Sequence, residues 1–411
     1  YRSEEELEKD KKTDPLLVFK QKCIKKSIIS DKEFLKIDEK MKQIIEQEVD
    51  YVEEQPNPEP ESALDHLFSN SSDLDASCTI DPKGVKDKIV MVDSINHALS
   101  EELEFNDKML IYGEDVGGDK GGVFTATRGL TKKFSDERVF NSPLAESSII
   151  GTAIGLSVVG YKPVVEIQFG DYIWPAMMQI RNEVATMRYR SAGNWTCPLV
   201  IRVPVGGYIH GSLYHSQSID GYFAHTPGLK IAYPSNAADA KGLLKYACRC
   251  DDPVLFMEHK GIYRQGFASS LEPDEDYLLP FGKARIVQEG NDLTIVTWGA
   301  IVQKAVEASR NSNKSVEVID IRTLNPLDMD TILNSIKKTN RVIVAHEDHL
   351  TAGFGSEISA QISDVGFEFL DAPVKRIASK DVHVAYSPNL ENEILVQTSW
   401  IEKEIEEIIN Y

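Results

Sequence analysis

Short apolar strands alternate with helices through most of the chain after residue 85. The first helix is predicted at about 88–104 and has one apolar face. Two further helices, at 147–159 and 236–248, lie among strands predicted at 109–112, 138–140, 164–169, 199–203, 229–233 and 254–257. This alternation predicts an α/β fold whose mostly parallel sheet is covered by helices on both faces.

An acidic, proline-containing loop at 272–276 separates this pattern from a second, shorter one. Beyond the loop, alternating strands and helices are predicted at 293–297, 301–309, 316–321, 330–338 and 342–345. The sequence therefore predicts a larger domain at 85–270 and a smaller α/β domain at 271–411.

The residues before the larger domain have a different character. Residues 1–52 are highly charged, with short apolar patches at helical spacing, which predicts a solvated helical segment docked on something larger. Residues 53–84 contain alternating prolines and little apolar periodicity, which predicts a flexible linker. Because the chain begins at Tyr1 and not at methionine, we expect a fragment or a processed product.

The charge balance excludes two classes of partner. The 411 residues include 65 acidic and 45 basic side chains, for a net charge of −20. Such a chain repels phosphate backbones and anionic lipid surfaces, so neither nucleic acid nor a membrane is expected as a partner. The uncharged run at 149–161 is too short to span a bilayer. Five scattered cysteines without a CxxC pair indicate reduced thiols, as in the cytoplasm or, in a eukaryote, the mitochondrial matrix.

Several common catalytic motifs are missing from the sequence. There is no GxGxxG after a predicted strand and no GxxxxGK[ST], so neither a dinucleotide site nor a P-loop is supported. Ser212, His215 and Asp220 lack a GxSxG elbow and are too close in sequence to suggest a hydrolase triad. His346 and His349 lack HExxH spacing and cysteine partners, which argues against zinc.

Polar residues follow several predicted strands, where open parallel sheets bind their ligands. Glu114 follows the first strand, the run 141–146 follows the second, and a glycine-rich loop at 206–211 leads to His215. Glu166 and Gln168 are two residues apart and are predicted to share one strand face. These side chains either converge on a ligand at one edge of the sheet or only cap helices and form hydrogen bonds with loop backbone groups. Their positions alone do not decide between the two.

Longer motifs occur in a recognisable order. They are Gly113-Glu114-Asp115-Val116, Pro143-Leu144-Ala145-Glu146, Ile167-Gln168-Phe169-Gly170-Asp171-Tyr172, His215-Ser216-Gln217-Ser218 and Ala224-His225-Thr226-Pro227-Gly228. In this order they resemble the β subunits of the thiamine-diphosphate-dependent 2-oxoacid dehydrogenases. The resemblance extends over about 86–411. It implies a transketolase-like pyrimidine-binding domain followed by a smaller transketolase C-terminal domain.

The finer resemblance is to the branched-chain type. The runs PLAE, IQFGDY and HSQS are more similar to 2-oxoisovalerate dehydrogenases than to pyruvate dehydrogenases. The implied reaction is the oxidative decarboxylation of branched-chain 2-oxoacids such as 3-methyl-2-oxobutanoate, with reductive acylation of a lipoyl acyltransferase. The alternatives are a pyruvate dehydrogenase β-type component, a transketolase-like sugar enzyme, and a cofactor-binding assembly fragment that is inactive without its partner.

The resemblance also implies roles for individual residues. Glu146 matches the carboxyl group that contacts the aminopyrimidine nitrogen of thiamine diphosphate. His215 matches an imidazole that transfers protons during lipoyl acylation, as suits a group that titrates near neutral pH. The pocket around the aminopyrimidine is expected to be lined by Glu114, Leu144, Gln168 and Tyr172.

The N-terminal segment resembles the C-terminal end of an α subunit, on the strength of Tyr1-Arg2, Asp14-Pro15-Leu16 and Phe19. The chain thus looks like a fused α–β enzyme without most of its α half. By resemblance, that α half carries the pyrophosphate and Mg²⁺ ligands. The expected assembly has two α and two β halves, with a homo-oligomeric contact between the β halves.

A potassium site is a further implication of the resemblance. The matching positions are Cys197, Leu199 and Val200 through their backbone, with Asp252 nearby. Cys250 stands where an aspartate ligand is usual, and a soft thiol is a poor ligand for K⁺.

Overall fold

The computed structural model describes residues 2–78 and 84–411, which form two compact units divided between Leu64 and Asp65. The N-terminal unit is helical: α1 (Glu4–Lys12), α2 (Pro15–Lys25), α3 (Asp31–Glu53) and a 3₁₀-helix at Pro60–Leu64. Ser3 and Ser30 begin α1 and α3 with capping boxes, which satisfy the first free N–H groups. Tyr1 and the linker residues 79–83 lie outside the described residues.

The larger unit alternates strands and helices. Its helices are α4 (Ser72–Ala76), α5 (Met91–Phe105), α6 (Leu130–Phe134), α7 (Glu146–Val158), α8 (Met187–Arg190), α9 (Asp220–Ala224), α10 (Ala237–Arg249), α11 (Ile301–Ser312), α12 (Met329–Thr339), α13 (Phe354–Val365), α14 (Pro388–Ile394) and α15 (Thr398–Ile409). Its strands are β1 (Gly84–Ile89), β2 (Met109–Gly113), β3 (Val139–Asn141), β4 (Lys162–Glu166), β5 (Val200–Val205), β6 (Lys230–Ala232), β7 (Val254–His259), β8 (Ser270–Pro273), β9 (Arg285–Gln288), β10 (Leu293–Thr297), β11 (Val316–Asp320), β12 (Thr323–Asn325), β13 (Val342–His349) and β14 (Lys375–Ser379). None of the described helices is both long and apolar enough to cross a membrane.

The larger sheet has the strand order β12-β6-β7-β5-β4-β2-β3 within the described residues. All neighbouring strands are parallel except β12, which runs antiparallel to β6. Buried apolar side chains lie on both faces of this sheet, which explains why its strands read as continuous apolar runs in the sequence. The carboxyl ends of β2, β4 and β5 consequently lie along one edge.

The C-terminal half builds a second sheet in the order β14-β13-β10-β11-β9, parallel except for the edge strand β9. The two halves also share strands. β12 belongs in sequence to the C-terminal half but extends the larger sheet, and β8 pairs with β1 across the boundary predicted at residue 270. The predicted order of a larger domain with a mostly parallel sheet and a smaller α/β domain is confirmed, and the two domains share edge strands.

Two segments differ from their predicted form. β4 ends at Glu166 and not at Phe169, because the chain turns into a 3₁₀-helix at Gly170–Tyr172. Part of the segment predicted to be a flexible linker is packed: both the amide and the hydroxyl of Ser69 donate to the Asp252 carboxylate. Nearby, the Tyr246 hydroxyl donates to Asp75 at 2.6 Å. Residues 65–78 therefore belong with the larger unit.

A buried ion cluster lies at the centre of the larger sheet. The Arg202 guanidinium donates to both oxygens of Glu258, at 2.7 and 2.9 Å, and to Glu166 at 2.8 Å. The Tyr263 hydroxyl donates to Glu258 at 2.5 Å. Burial raises the pKa of Glu166, and the attraction of Arg202 opposes this. One guanidinium thus holds two carboxyl groups inside an otherwise apolar sheet.

Replacement of this arginine by methionine, Arg202→Met, is expected to destabilise the protein by about 3–5 kcal/mol, because it leaves two buried carboxyl groups without their cation. Denaturation by urea of the variant and the parent measures this difference. Lys380→Met is the matched control, since the Lys380–Glu393 pair is exposed and such pairs contribute about 0–1 kcal/mol. A loss below about 1 kcal/mol for Arg202→Met, within the range of an exposed pair, would contradict the prediction.

Candidate active site

Glu146 is positioned by the helix that it begins. The buried side chains of Ile149, Ile150 and Ala153 anchor α7 against the sheet and leave its first turn at the carboxyl edge. The N-cap residue is Ala145, whose methyl group cannot accept a hydrogen bond from the first N–H groups of the helix. These free N–H groups and the helix dipole favour a carboxylate at Glu146. The preceding Leu144 is 81% exposed, and its apolar side chain lies open to a ligand.

Glu114 lies beside Glu146. It directly follows the end of β2, where the close approach of Gly113 to the Glu166 carbonyl leaves no room for a side chain. Burial raises the pKa of Glu114, and the negative charges of Glu146 and Asp115 raise it further. The site therefore contains two neighbouring carboxyl groups, one of which holds its proton more tightly than an ordinary glutamate.

Gln168 joins this pair from the neighbouring strand connection. Its side-chain amide donates to the Glu114 carbonyl at 3.2 Å and to the Asp115 carboxylate at 3.3 Å. The prediction that Gln168 shares a strand face with Glu166 is wrong, because β4 ends at Glu166. Glu166 instead lies among the buried charges around Arg202.

Tyr172 and His215 complete the cluster. The Tyr172 hydroxyl lies 2.9 Å from His215 Nε2, and the Phe169 ring packs edge-on against the imidazole with centroids 4.6 Å apart. Burial raises the pKa of Tyr172, as do the charges of Asp171, Glu114 and Glu146. The structure thus brings five of the six predicted catalytic and cofactor-binding residues together, and the sixth, Leu144, is exposed.

Lys260 is a buried cation near this cluster that the sequence analysis did not single out. It follows β7, is 4% exposed, and its Nζ has no hydrogen-bond partner among the described residues. Burial lowers the pKa of Lys260 to about 8, although the charges of Asp171 and Glu347 oppose this. Burial likewise raises the pKa of Asp171, which Lys260 opposes. A lysine directly after a strand was the available signal, but nothing in the sequence shows its burial.

The lowered pKa of Lys260 predicts a pH-dependent stability. Below pH 8 both folded and unfolded chains hold the proton, and burial of the charge destabilises the fold by a constant amount. Between pH 8 and 10.5 the unfolded chain binds more protons, so the contribution of this lysine to the free energy of unfolding rises with pH, by about 3 kcal/mol in total.

The comparison of parent and Lys260→Met by urea denaturation at pH 7.5 and pH 10 measures this contribution. The variant is expected to be the more stable protein at pH 7.5, and its advantage should shrink at pH 10. An advantage of equal size at both pH values would contradict a lowered pKa, because it would show a packing effect and no titration.

The residues matched to a potassium site lie elsewhere, at the amino ends of β5 and β7. The Asp252 carboxylate contacts Lys230 at 2.9 Å and Arg188 at 3.3 Å, and Lys162 donates to the Cys250 carbonyl at 2.8 Å. Two of the matched backbone carbonyls already accept backbone N–H groups: that of Cys197 from Leu199, and that of Leu199 from Val254. Because ammonium and guanidinium groups already supply the positive charge, this arrangement does not fit K⁺ at Cys197, Leu199, Val200 and Asp252.

The motifs rejected from the sequence also lie apart in the structure. Asp220 accepts a hydrogen bond from Trp298 Nε1 at 2.8 Å, whereas His215 contacts Tyr172, so the two do not form a triad with Ser212. His346 stacks on Trp298, and burial lowers the pKa of His346 to about 4. Among the described residues, no cluster of three or more histidine, cysteine or acidic side chains is arranged to hold a metal.

Three family models match the chain. The transketolase pyrimidine-binding domain matches residues 87–265, and the transketolase C-terminal domain matches 282–401. The dehydrogenase E1 component matches residues 1–61. The first two matches fall on the two α/β halves described above, and the cluster of acidic side chains and His215 belongs to the first.

Individual relatives decide the family. The 2-oxoisovalerate dehydrogenase subunit beta of Bacillus subtilis is 45% identical over 324 residues, which cover 78% of this chain and 98% of that protein. The chain belongs to the 2-oxoacid dehydrogenase β-subunit family. Within this family the pyruvate dehydrogenase E1 component subunit beta of B. subtilis is 44% identical over 303 residues, which cover 73% of this chain and 92% of the relative. The mitochondrial 2-oxoisovalerate dehydrogenase subunit beta of Dictyostelium discoideum is 46% identical over 310 residues, which cover 74% of this chain and 83% of the relative.

A solved structure shares the fold of this β-subunit chain. It is a split-gene transketolase described as an inactive beta4 tetramer, with a TM-score of 0.62 and 22% identity, over 78% of this chain and 99% of that one. The family depends on thiamine diphosphate, and the cluster fits the aminopyrimidine part of that cofactor. Glu114 Oε1 is buried without a hydrogen-bond partner among the described residues, which leaves an acceptor for a donor group of the ligand. The Gln168 amide donates to the neighbouring Glu114 carbonyl, and the Tyr172 hydroxyl contacts His215.

Proposed function

We propose that the chain is the β half of a branched-chain 2-oxoacid dehydrogenase. The reaction is the thiamine-diphosphate-dependent oxidative decarboxylation of acids such as 3-methyl-2-oxobutanoate, with transfer of the acyl group to a lipoyl acyltransferase. The observation that carries the proposal is the convergence of Glu114 and Glu146 with the Tyr172–His215 pair at one edge of the larger sheet. These are the groups that hold an aminopyrimidine and move protons beside it.

Each residue has a part in this proposal. Thiamine diphosphate, when bound, accepts the electron pair released by decarboxylation. The Glu146 carboxyl group would hold the aminopyrimidine and control its protonation, while Gln168 fixes the neighbouring loop through its hydrogen bonds to Glu114 and Asp115. Tyr172 holds the imidazole of His215 at its Nε2 atom.

Acyl transfer needs a proton at a defined place. The lipoyl disulfide accepts the acyl group on one sulfur, and the S–S bond breaks to leave a thiolate on the other. That thiolate must gain a proton, and the half-buried His215 imidazole would deliver it. The aromatic rings of Phe169 and Tyr172 orient the imidazole for this role.

The proposal includes partners for this β half. An α-type half would carry the pyrophosphate and Mg²⁺ ligands, and the match of residues 1–61 to the dehydrogenase E1 component supports such a half joined to this one. Contact between two β halves and docking to a lipoyl acyltransferase core complete the proposed assembly. The five cysteines are free thiols, which suits the cytoplasm or a mitochondrial matrix.

Pyruvate is the competing substrate, because relatives of both types are 44–46% identical to this chain. The test measures kcat/KM for 3-methyl-2-oxobutanoate and for pyruvate with a dye as electron acceptor. It uses this chain with an α-type half, thiamine diphosphate and Mg²⁺. We expect the branched substrate to be favoured by about tenfold or more, since its additional methyl groups gain apolar contacts. A preference for pyruvate would move the assignment to the pyruvate type, and no activity on either would overturn it.

A further inference from the structure

The loop that carries His215 is held from outside its own domain. It leaves β5 at Gly206, whose N–H donates to the Gln217 carbonyl at 3.2 Å and closes the base of the loop. Between these two residues, the loop contacts side chains and backbone of the C-terminal domain. We refer to residues 206–217 as the histidine loop.

Glu347 makes a fully buried contact with the histidine loop. Its Oε1 accepts the N–H of Gly207 at 2.6 Å, and its Oε2 lies 2.5 Å from His259 Nε2. Burial raises the pKa of Glu347, but the attraction and hydrogen bond of His259 and the N–H of Gly207 lower it by more, so that it lies below its usual value. One carboxylate on β13 therefore ties the histidine loop to the end of β7.

Two more contacts follow along the histidine loop. The Tyr208 hydroxyl donates to the Val396 carbonyl at 2.8 Å. The N–H of His210 donates to Glu391 Oε1 at 3.1 Å, and its ring Nδ1 lies 2.6 Å from Oε2 of the same carboxylate. All three anchors, Glu347, Glu391 and Val396, belong to the C-terminal domain.

The backbone of the histidine loop is strained at three residues other than glycine, two of which, Tyr208 and His210, make the contacts described above. Tyr208, His210 and Ser212 have φ values of 60°, 56° and 62°, a region that side chains other than glycine rarely adopt. Strained residues persist only where their surroundings over-determine the conformation. Gly206 has a φ of 83°, and a Cβ there would lie 2.3 Å from the His259 ring, so the packing at the base is equally restrictive.

We propose that Glu347 is a positioning residue for acyl transfer. It holds the strained histidine loop so that the His215 imidazole remains at the Tyr172 hydroxyl, and it does this from the C-terminal domain. This inference rests on the role of His215 in the proposed function. It adds that the C-terminal domain controls acyl transfer to the lipoyl group and does not control decarboxylation.

Glu347→Gln tests the inference. The glutamine carbonyl can accept from only one of the two donors, Gly207 N–H and His259 Nε2–H, and its amide group then faces the other donor. We expect acylation of free lipoamide to fall by about tenfold to a hundredfold, because small displacements of a catalytic group have effects of this size. Dye-coupled decarboxylation should stay within about threefold of the parent, and the affinity for thiamine diphosphate should be unchanged. Glu393→Gln, on the same domain but exposed, is the control and should alter neither rate.

Tyr208→Phe provides a second, milder variant if Glu347→Gln does not fold. It removes the hydroxyl that donates to Val396 and keeps the ring, so the same selective loss is expected at about threefold to tenfold. Equal losses in acylation and decarboxylation would overturn the inference, because they would show a general structural role. An unchanged acylation rate would also overturn it. His215→Asn, measured in parallel, distinguishes failure of this inference from failure of the proposed function. If His215→Asn leaves acylation intact, the role of His215 in the proposed function fails instead.

Discussion

Replacement of Glu146 by glutamine is expected to abolish the thiamine-diphosphate-dependent decarboxylation. The carboxyl group at the start of α7 is the one acidic group of the cluster that the helix dipole favours, and an amide cannot exchange a proton with a ring nitrogen. We expect a loss of about a hundredfold to ten-thousandfold in kcat, the usual contribution of a positioned acid–base group. The dye-coupled assay with 3-methyl-2-oxobutanoate measures it.

Two other glutamates serve as controls for Glu146→Gln. Glu137 is exposed and lies outside the cluster, so Glu137→Gln should leave activity unchanged. Glu114→Gln removes the neighbouring carboxyl group, whose pKa is raised by burial. Activity is expected to fall by only about tenfold, because Glu114 lies beside Glu146 and is not the proposed proton-exchanging group. Activity in Glu146→Gln equal to that of the parent, with an unchanged melting temperature, would remove Glu146 from its proposed role.

The strands of the larger sheet were predictable because parallel strands are buried on both faces. Five predicted strands agree with β2, β3, β5, β6 and β7 to within two residues at each end. The shared edges were not predictable, because β8 and β12 gain their partners from distant parts of the chain, and no local pattern shows such a pairing.

The candidate site was predictable to the extent that it follows strand ends. Glu114, Glu146 and His215 were placed at one edge because each follows a strand or its loop, and the structure brings them together. Their roles came from the resemblance to a known family, which pattern alone does not supply. The residues matched to a potassium site show that resemblance can also mislead. Buried lysines lie at that end of the sheet, and the sequence does not reveal their burial.

The supporting contacts could not be predicted, because they join residues far apart in sequence. Arg202 and Glu258 are 56 residues apart, and Gly207 and Glu347 are 140 apart. The available signal was a charged residue inside an apolar strand, as at Arg202. It predicts that a partner exists, since buried charges are almost always paired, but it does not identify the partner.

His215→Asn is expected to separate the two halves of the reaction. Acylation of free lipoamide should fall by about a hundredfold or more, because the group that delivers a proton to the departing sulfur is lost. Dye-coupled decarboxylation should fall by less than about tenfold, since the Glu146 carboxyl group, which in the proposed function controls the protonation of the pyrimidine, remains in place. Single-turnover measurements of acylation and decarboxylation, with this chain and an α-type half, give the ratio of the two losses directly.

The companion variant Tyr172→Phe tests whether the 2.9 Å contact to His215 Nε2 orients the imidazole. It keeps the aromatic ring against Phe169 and removes only the hydroxyl, so a smaller loss in acylation, of about threefold to tenfold, is expected. A larger effect on decarboxylation than on acylation in both variants would show that this pair acts at the pyrimidine. In that case the proton for the lipoyl sulfur would come from a group other than His215, and variants of Lys260 and of the α-type half would be the next to measure.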